Sequence, residues 1–168
     1  AQSLHRAHAQ GVLHLDLRPS NVVVAADGRV LLRGANLVSS MPAAWKATGA
    51  GRAFIAPEAT GSDGASADWR ADVYGCAALL YLLLRMEPPP TDPAEARARL
   101  DGAPESVKEF VARGLAVDPK ARPSSCLAAS VALAPYARGA GRGFGRRAKI
   151  AVAAALIALA TAILIYAT

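Results

Sequence analysis

His14-Leu15-Asp16-Leu17-Arg18-Pro19-Ser20-Asn21 decides how this chain is read. An aspartate stands two residues after a histidine, and an asparagine follows it after five more. The apolar run Val22-Val23-Val24 comes next. On a loop, this spacing lets both polar side chains turn toward one phosphoryl group. In a phosphoryl-transfer enzyme, an Asp so placed would accept the proton of an acceptor hydroxyl, and the Asn would ligate a metal that bridges phosphate oxygens.

Working outward, Asp27-Gly28-Arg29 reads as a turn between Val22-Val23-Val24 and Val30-Leu31-Leu32, which predicts a short hairpin. Downstream come Ala56-Pro57-Glu58, then Ala71-Asp72-Val73-Tyr74-Gly75 leading into the apolar run Leu79 to Leu84, then Asp118-Pro119-Lys120-Ala121-Arg122-Pro123-Ser124. In this order and at these spacings, the motifs resemble the C-terminal lobe of a bacterial serine/threonine protein kinase. Gln2 to Gly11 resembles the end of the helix before the catalytic loop, and Ala56-Pro57-Glu58 the close of the activation segment. Asp72 lies on what resembles the long buried helix of the lobe, and Arg122 in the late turn before its last helices. The resemblance runs from the start to about Leu133. Kinases of sugars, antibiotics and choline share the first motif but lack the later ones.

The resemblance implies roles. Asp16 is the catalytic base and Arg18 stands beside it, in place of the usual Lys. Asn21 is the metal ligand that helps to hold the nucleotide phosphates. His14 supports the loop, Asp72 accepts hydrogen bonds from the loop backbone, and Glu58 and Arg122 form a buried ion pair. ATP with magnesium is implied if the site is active, and otherwise no cofactor.

One part of that machinery is missing. Aligning Val30 to Arg33 with the second strand puts Gly34-Ala35-Asn36 where the family has Asp-Phe-Gly, so Gly34 replaces the metal-binding Asp. No acid lies between Asp27 and Glu58 to take its place. Losing that clamp removes several kcal/mol of transition-state stabilisation, roughly a thousandfold in rate or more. Leu15 stands where many kinases have an Arg that pairs with an activation-segment phosphate. Arg18 keeps the charge of Lys but presents a broad fork. Gly51 falls where a substrate-positioning Thr is expected, five residues before Ala56. There is no Gly-rich loop, strand lysine or partner Glu, and no initiator Met, so the chain reads as a fragment or truncated product that starts inside the lobe.

Composition narrows the classes. The 168 residues suit one domain of ordinary size. Aromatics make up only 5%, too few for a stacking platform on single-stranded nucleic acid. The formal charge of +6 is concentrated in Arg138, Arg142, Arg146, Arg147 and Lys149, which favours a membrane surface over nucleic acid. Cys76 and Cys126 form no Cys-x-x-Cys, so neither a disulfide framework nor a zinc site is expected. Cys76, in an apolar helical pattern, reads as a buried small hydrophobe. His5 and His8 read as surface or packing residues. Ser39, Ser40 and Thr48 read as ordinary loop polarity.

Ile150 to Thr168 carries no charge, and about 19 residues of helix reach roughly 28 Å, close to a bilayer core. Its eight Ile, Leu and Val residues contribute on the order of −3 to −5 kcal/mol toward insertion. The basic cluster before it places the preceding lobe on the cytoplasmic side.

The expected fold is therefore mainly α, the C-lobe of the protein-kinase α+β fold with a short β-hairpin, followed by one transmembrane helix. The domains are 1–137, a partial kinase-like lobe; 138–149, a basic juxtamembrane linker; and 150–168, the span. Between Ala71 and Leu133, helices are expected to start at Pro93 and near Glu105. The functional expectation is a membrane-anchored, single-pass pseudokinase that signals by binding proteins. The alternative is an active Ser/Thr kinase whose N-lobe lies outside this chain. Partners are proteins and the membrane, with a homodimer left open and nucleic acid excluded.

Overall fold

The computed structural model describes residues 2–27, 30–34, 50–60 and 67–139. Five helices and one hairpin run through them: α1 (Gln2–Ala9), β1 (Val22–Val24), β2 (Val30–Leu32), α2 (Trp69–Arg85), α3 (Pro93–Ala98), α4 (Glu105–Gly114) and α5 (Leu127–Gly139). Short 3-10 turns at Pro19–Asn21, Ala50–Phe54, Pro57–Thr60 and Pro119–Ala121 punctuate the loops. The lobe is mainly helical with one two-stranded antiparallel hairpin, as expected. Its register pairs Val22 with Leu32, Val23 with Leu31 and Val24 with Val30.

α2 is the axis of the fold. Asp68 caps its start by accepting from the Arg70 N–H at 2.8 Å, satisfying one of the free donors of the first turn. It begins two residues before the expected Ala71. It ends when Met86 turns left-handed (φ 59°) and its N–H bonds the Leu82 carbonyl, ahead of Pro88-Pro89-Pro90. Val73, Ala77, Ala78 and Tyr81 are buried on it. Small residues let neighbours come close: a Cβ at Gly114 of α4 would stand 2.5 Å from the Ala77 Cβ. α3 packs on α4, α4 on α5, and α1 against α5.

Helix starts follow the expected chemistry. Asp92 accepts from the Ala94 N–H at 2.8 Å with Pro93 in the first turn, and α4 begins at Glu105 after Pro104. The main core joins Leu4, Leu17, Phe54, Tyr81, Leu100 and Val107, with Phe110, Val111 and Leu115 beside them. Each such side chain contributes about 1.5–3 kcal/mol when fully buried. A smaller cluster of Ile55, Ala56, Ala59 and Ala71 clips the Ala-Pro-Glu segment onto the start of α2.

Two sequence expectations meet the structure differently. α5 runs to Gly139, two residues into the stretch read as linker. Cys76 is only half-buried, because its position on α2 lies at the edge of the core, and Cys126 is the buried thiol. Among the described residues no helix is long and apolar enough to cross a membrane. The run Ile150 to Thr168 lies outside the described residues, as do Ser39, Ser40, Thr48 and most of the basic linker.

Candidate functional site

The site is assembled around the loop from His14 to Asn21, between α1 and β1. Asp16 is 1% exposed and both of its carboxylate oxygens are engaged. Arg18 Nε donates to Oδ1. Asn21 Nδ2 donates to Oδ2 at 2.7 Å and to the Asp16 carbonyl at 2.9 Å. The Pro19–Asn21 turn supplies the curvature that brings Asn21 back over Asp16. The three residues singled out from the sequence as base, cation and metal ligand therefore form one closed cluster.

α2 holds this loop from below. Asp72, whose side chain is 0% exposed, accepts from the His14 N–H at 2.8 Å (Oδ2) and from the Leu15 N–H at 2.6 Å (Oδ1). Leu15 is left-handed (φ 59°), a conformation that costs a residue with a Cβ about 1–2 kcal/mol. The two bonds to Asp72 offset that strain. His8, from the last turn of α1, lies with Nε2 2.7 Å from Asp72 Oδ2 and completes the carboxylate's shell. Nothing in the spacing of the sequence marks His8 for this role. His14 is buried, with Nδ1 3.4 Å from the Asp16 N–H and, among the described residues, no hydrogen-bond partner for Nε2.

A second buried centre ties the Ala-Pro-Glu segment to the far end of the lobe. Arg122 Nη1 and Nη2 donate to Glu58 Oε1 at 2.6 Å and Oε2 at 2.9 Å, a bidentate pair. The guanidinium also bonds the carbonyls of Ala116, Arg70 and Val117 and lies 5.2 Å from the Tyr74 ring centroid. Asp118 presents Arg122 by capping the Pro119–Ala121 turn through the Lys120 N–H. Burial pushes the Tyr74 hydroxyl above its ordinary value, against the opposing pull of Arg52 and Arg122.

The donor set suits magnesium poorly. The Arg33 N–H donates to the Asn21 carbonyl at 2.8 Å, which brings the end of β2 against the loop. Gly34 follows directly, with φ 73° and no ligand atom in its side chain. Asn21 turns its amide nitrogen to Asp16, leaving one side-chain oxygen, and both oxygens of Asp16 are already bonded. Among the described residues no group of three His, Cys, Asp or Glu side chains is placed to hold a metal. The cluster can position and hold charge, but among the described residues it lacks the pair of hard oxygen ligands that a phosphate-bridging cation takes.

Comparison with known proteins agrees with this architecture. The family model for the protein kinase domain matches residues 1–136. The chain is 33% identical, over 74% of its length, to the serine/threonine-protein kinase PknL of Mycobacterium tuberculosis, and spans 35% of that protein. It is 28% identical, over 70% of its length, to the serine/threonine-protein kinase PknB of Mycobacterium leprae, and spans 20% of it. The match thus covers most of this chain but only a fifth to about a third of those relatives. With that model matching most of its length, the chain belongs to the protein kinase domain family.

Proposed function

We propose that this chain is a kinase-like lobe with impaired catalysis that signals by binding proteins at the inner face of a membrane. The observation that carries the reading is the state of Asp16. Both of its oxygens are bonded within the loop, and Gly34 brings no carboxylate to the neighbouring position. The supports that shape the lobe, Asp72 under the loop and Glu58 with Arg122, are intact. A folded docking surface needs those supports, whereas a metal-dependent transfer needs the carboxylate that Gly34 replaces. In this reading the apolar run Ile150 to Thr168 is a single span, the basic cluster faces the cytoplasm, and two copies can pair through the span.

A second reading is favoured by the intact loop geometry of Asp16 and Asn21 and by relatives named serine/threonine-protein kinases. In it, an upstream lobe supplies the nucleotide grip, Asp16 is the base, Asn21 carries a single magnesium, and ATP phosphorylates a Ser or Thr hydroxyl. One experiment separates the two. The chain, together with whatever precedes it in its reading frame, is melted with ATP, with and without magnesium. The first reading expects no magnesium-dependent rise in melting temperature. A rise of about 3 °C or more, which marks tight binding, overturns it. Transfer to a generic Ser/Thr substrate that is lost in Asp16→Asn overturns it as well.

A further inference from the structure

Arg18 and Gly51 are 33 positions apart and read from the sequence as separate oddities, yet they meet in the fold. A Cβ at Gly51, in the Ala50–Phe54 turn, would stand 3.2 Å from Arg18 Nη1 and 3.7 Å from Cζ. A single carbon fits there only if the guanidinium shifts by a few tenths of an ångström. A threonine adds two more heavy atoms to the same space. The guanidinium so placed is mostly buried, at 17% side-chain exposure, and its Nε faces Asp16 Oδ1. Asn21 already holds Oδ2.

We propose that Gly51 is a positioning residue: by carrying no side chain, it makes the room in which Arg18 lies over Asp16 and holds Oδ1. An acceptor hydroxyl approaching the loop then meets a base whose two oxygens each already accept one hydrogen bond, and it has to share Oδ1 with Arg18. Residues 18 and 51 act as a matched pair. The broad fork of arginine needs an empty position 51, whereas the slender stem and compact ammonium of lysine leave space for a side chain there. The inhibitory consequence deepens the reading of impaired catalysis and rests on it, while the contact itself does not.

The test uses the full chain, isotope-labelled in detergent micelles, with Gly51→Ala, Gly51→Thr, Arg18→Lys and Arg18→Lys/Gly51→Thr. The Arg18 Nε–H resonance is assigned by its loss in Arg18→Lys. The wild type is expected to protect this proton from exchange. Gly51→Thr is expected to expose it, with exchange about tenfold faster or more, and Gly51→Ala is expected to fall between. Gly51→Thr should lower the melting temperature by about 5 °C in the wild-type background and leave it unchanged in the Arg18→Lys background. The proposal is overturned if the proton stays protected in folded Gly51→Thr, if the melting temperature falls equally in both backgrounds, or if Gly51→Thr unfolds the chain in both. None of these readouts involves ATP. A chain found to transfer phosphate would therefore remove the inhibitory consequence and leave the contact to be judged by the exchange data.

Discussion

Removing Glu58 is the sharpest test of what holds the lobe together. The Arg122 side chain is fully buried and its bidentate partner is 15% exposed. In Glu58→Ala the guanidinium keeps its bonds to the carbonyls of Ala116, Arg70 and Val117, so its N–H groups are not orphaned. What remains is a positive charge in the core with its carboxylate gone. Breaking one side of a buried pair costs about 3–5 kcal/mol, and the three carbonyls and the Tyr74 face place this case near 3. With an unfolding entropy of about 2.1 cal/mol/K per residue over roughly 120 residues, that loss lowers the melting temperature by about 12 °C. Urea unfolding followed by circular dichroism, paired with a thermal melt, measures both. Glu58→Ala/Arg122→Met should lie closer to wild type than Glu58→Ala alone, because it leaves no unpaired charge. A loss below about 1 kcal/mol in Glu58→Ala, or a double variant that loses the sum of the two singles, would refute the argument.

Four further outcomes are expected. Asp72→Ala strands the N–H groups of His14 and Leu15 and releases Leu15 from its left-handed turn, costing about 3 kcal/mol; faster hydrogen exchange at Leu15 than in α4 checks it, and unchanged exchange contradicts it. Gly75→Ala drives a Cβ to 2.7 Å from the Leu17 Cβ and costs about 1–3 kcal/mol in urea unfolding, with a smaller loss when Leu17 is also cut back to Ala. The Cys126 thiol is pushed up by the neighbouring Cys76 thiol and by burial, so it should resist a thiol reagent at pH 8 in the folded chain and react once urea unfolds it. Because burial raises Tyr74 in the folded state, its contribution is fully present below pH about 10 and is lost as pH rises through the higher folded value. Ultraviolet titration of tyrosinate, wild type against Tyr74→Phe, reads this directly, and a Tyr74 that ionises at the ordinary value contradicts it.

The hairpin, the long helix and the two buried anchors are legible in the sequence because each rests on local chemistry or on a motif with a fixed partner. Asp27-Gly28-Arg29 between two apolar triplets allows little besides a hairpin, and the apolar run Leu79 to Leu84 needs a buried helix. Asp72 and the Glu58–Arg122 pair sit in such motifs, and their contacts lie where the resemblance puts them. His8 against Asp72, Cys76 against Cys126, and Arg18 against Gly51 are not legible. Each joins residues from different elements, and no periodicity reports which side chains a helix crossing brings together. The left-handed turn at Leu15 is hidden for a related reason. Leucine gives no sign of a positive φ, and the bonds that compensate it come from Asp72, a residue 57 positions away.

That separation has a consequence for how the lobe is made. The loop leaves the ribosome well before the helix that supports it. At about 5–20 residues per second, roughly 3–11 s pass between synthesis of Leu15 and of Asp72. Until then nothing compensates the left-handed turn, so the nascent loop has no reason to hold its final shape. Chains stalled just before α2 should show the loop open to protease, and chains stalled beyond α4 should show it closed. The residues that look most like an active centre are thus translated before the helix that orders them, under the control of an element that carries no chemistry of its own.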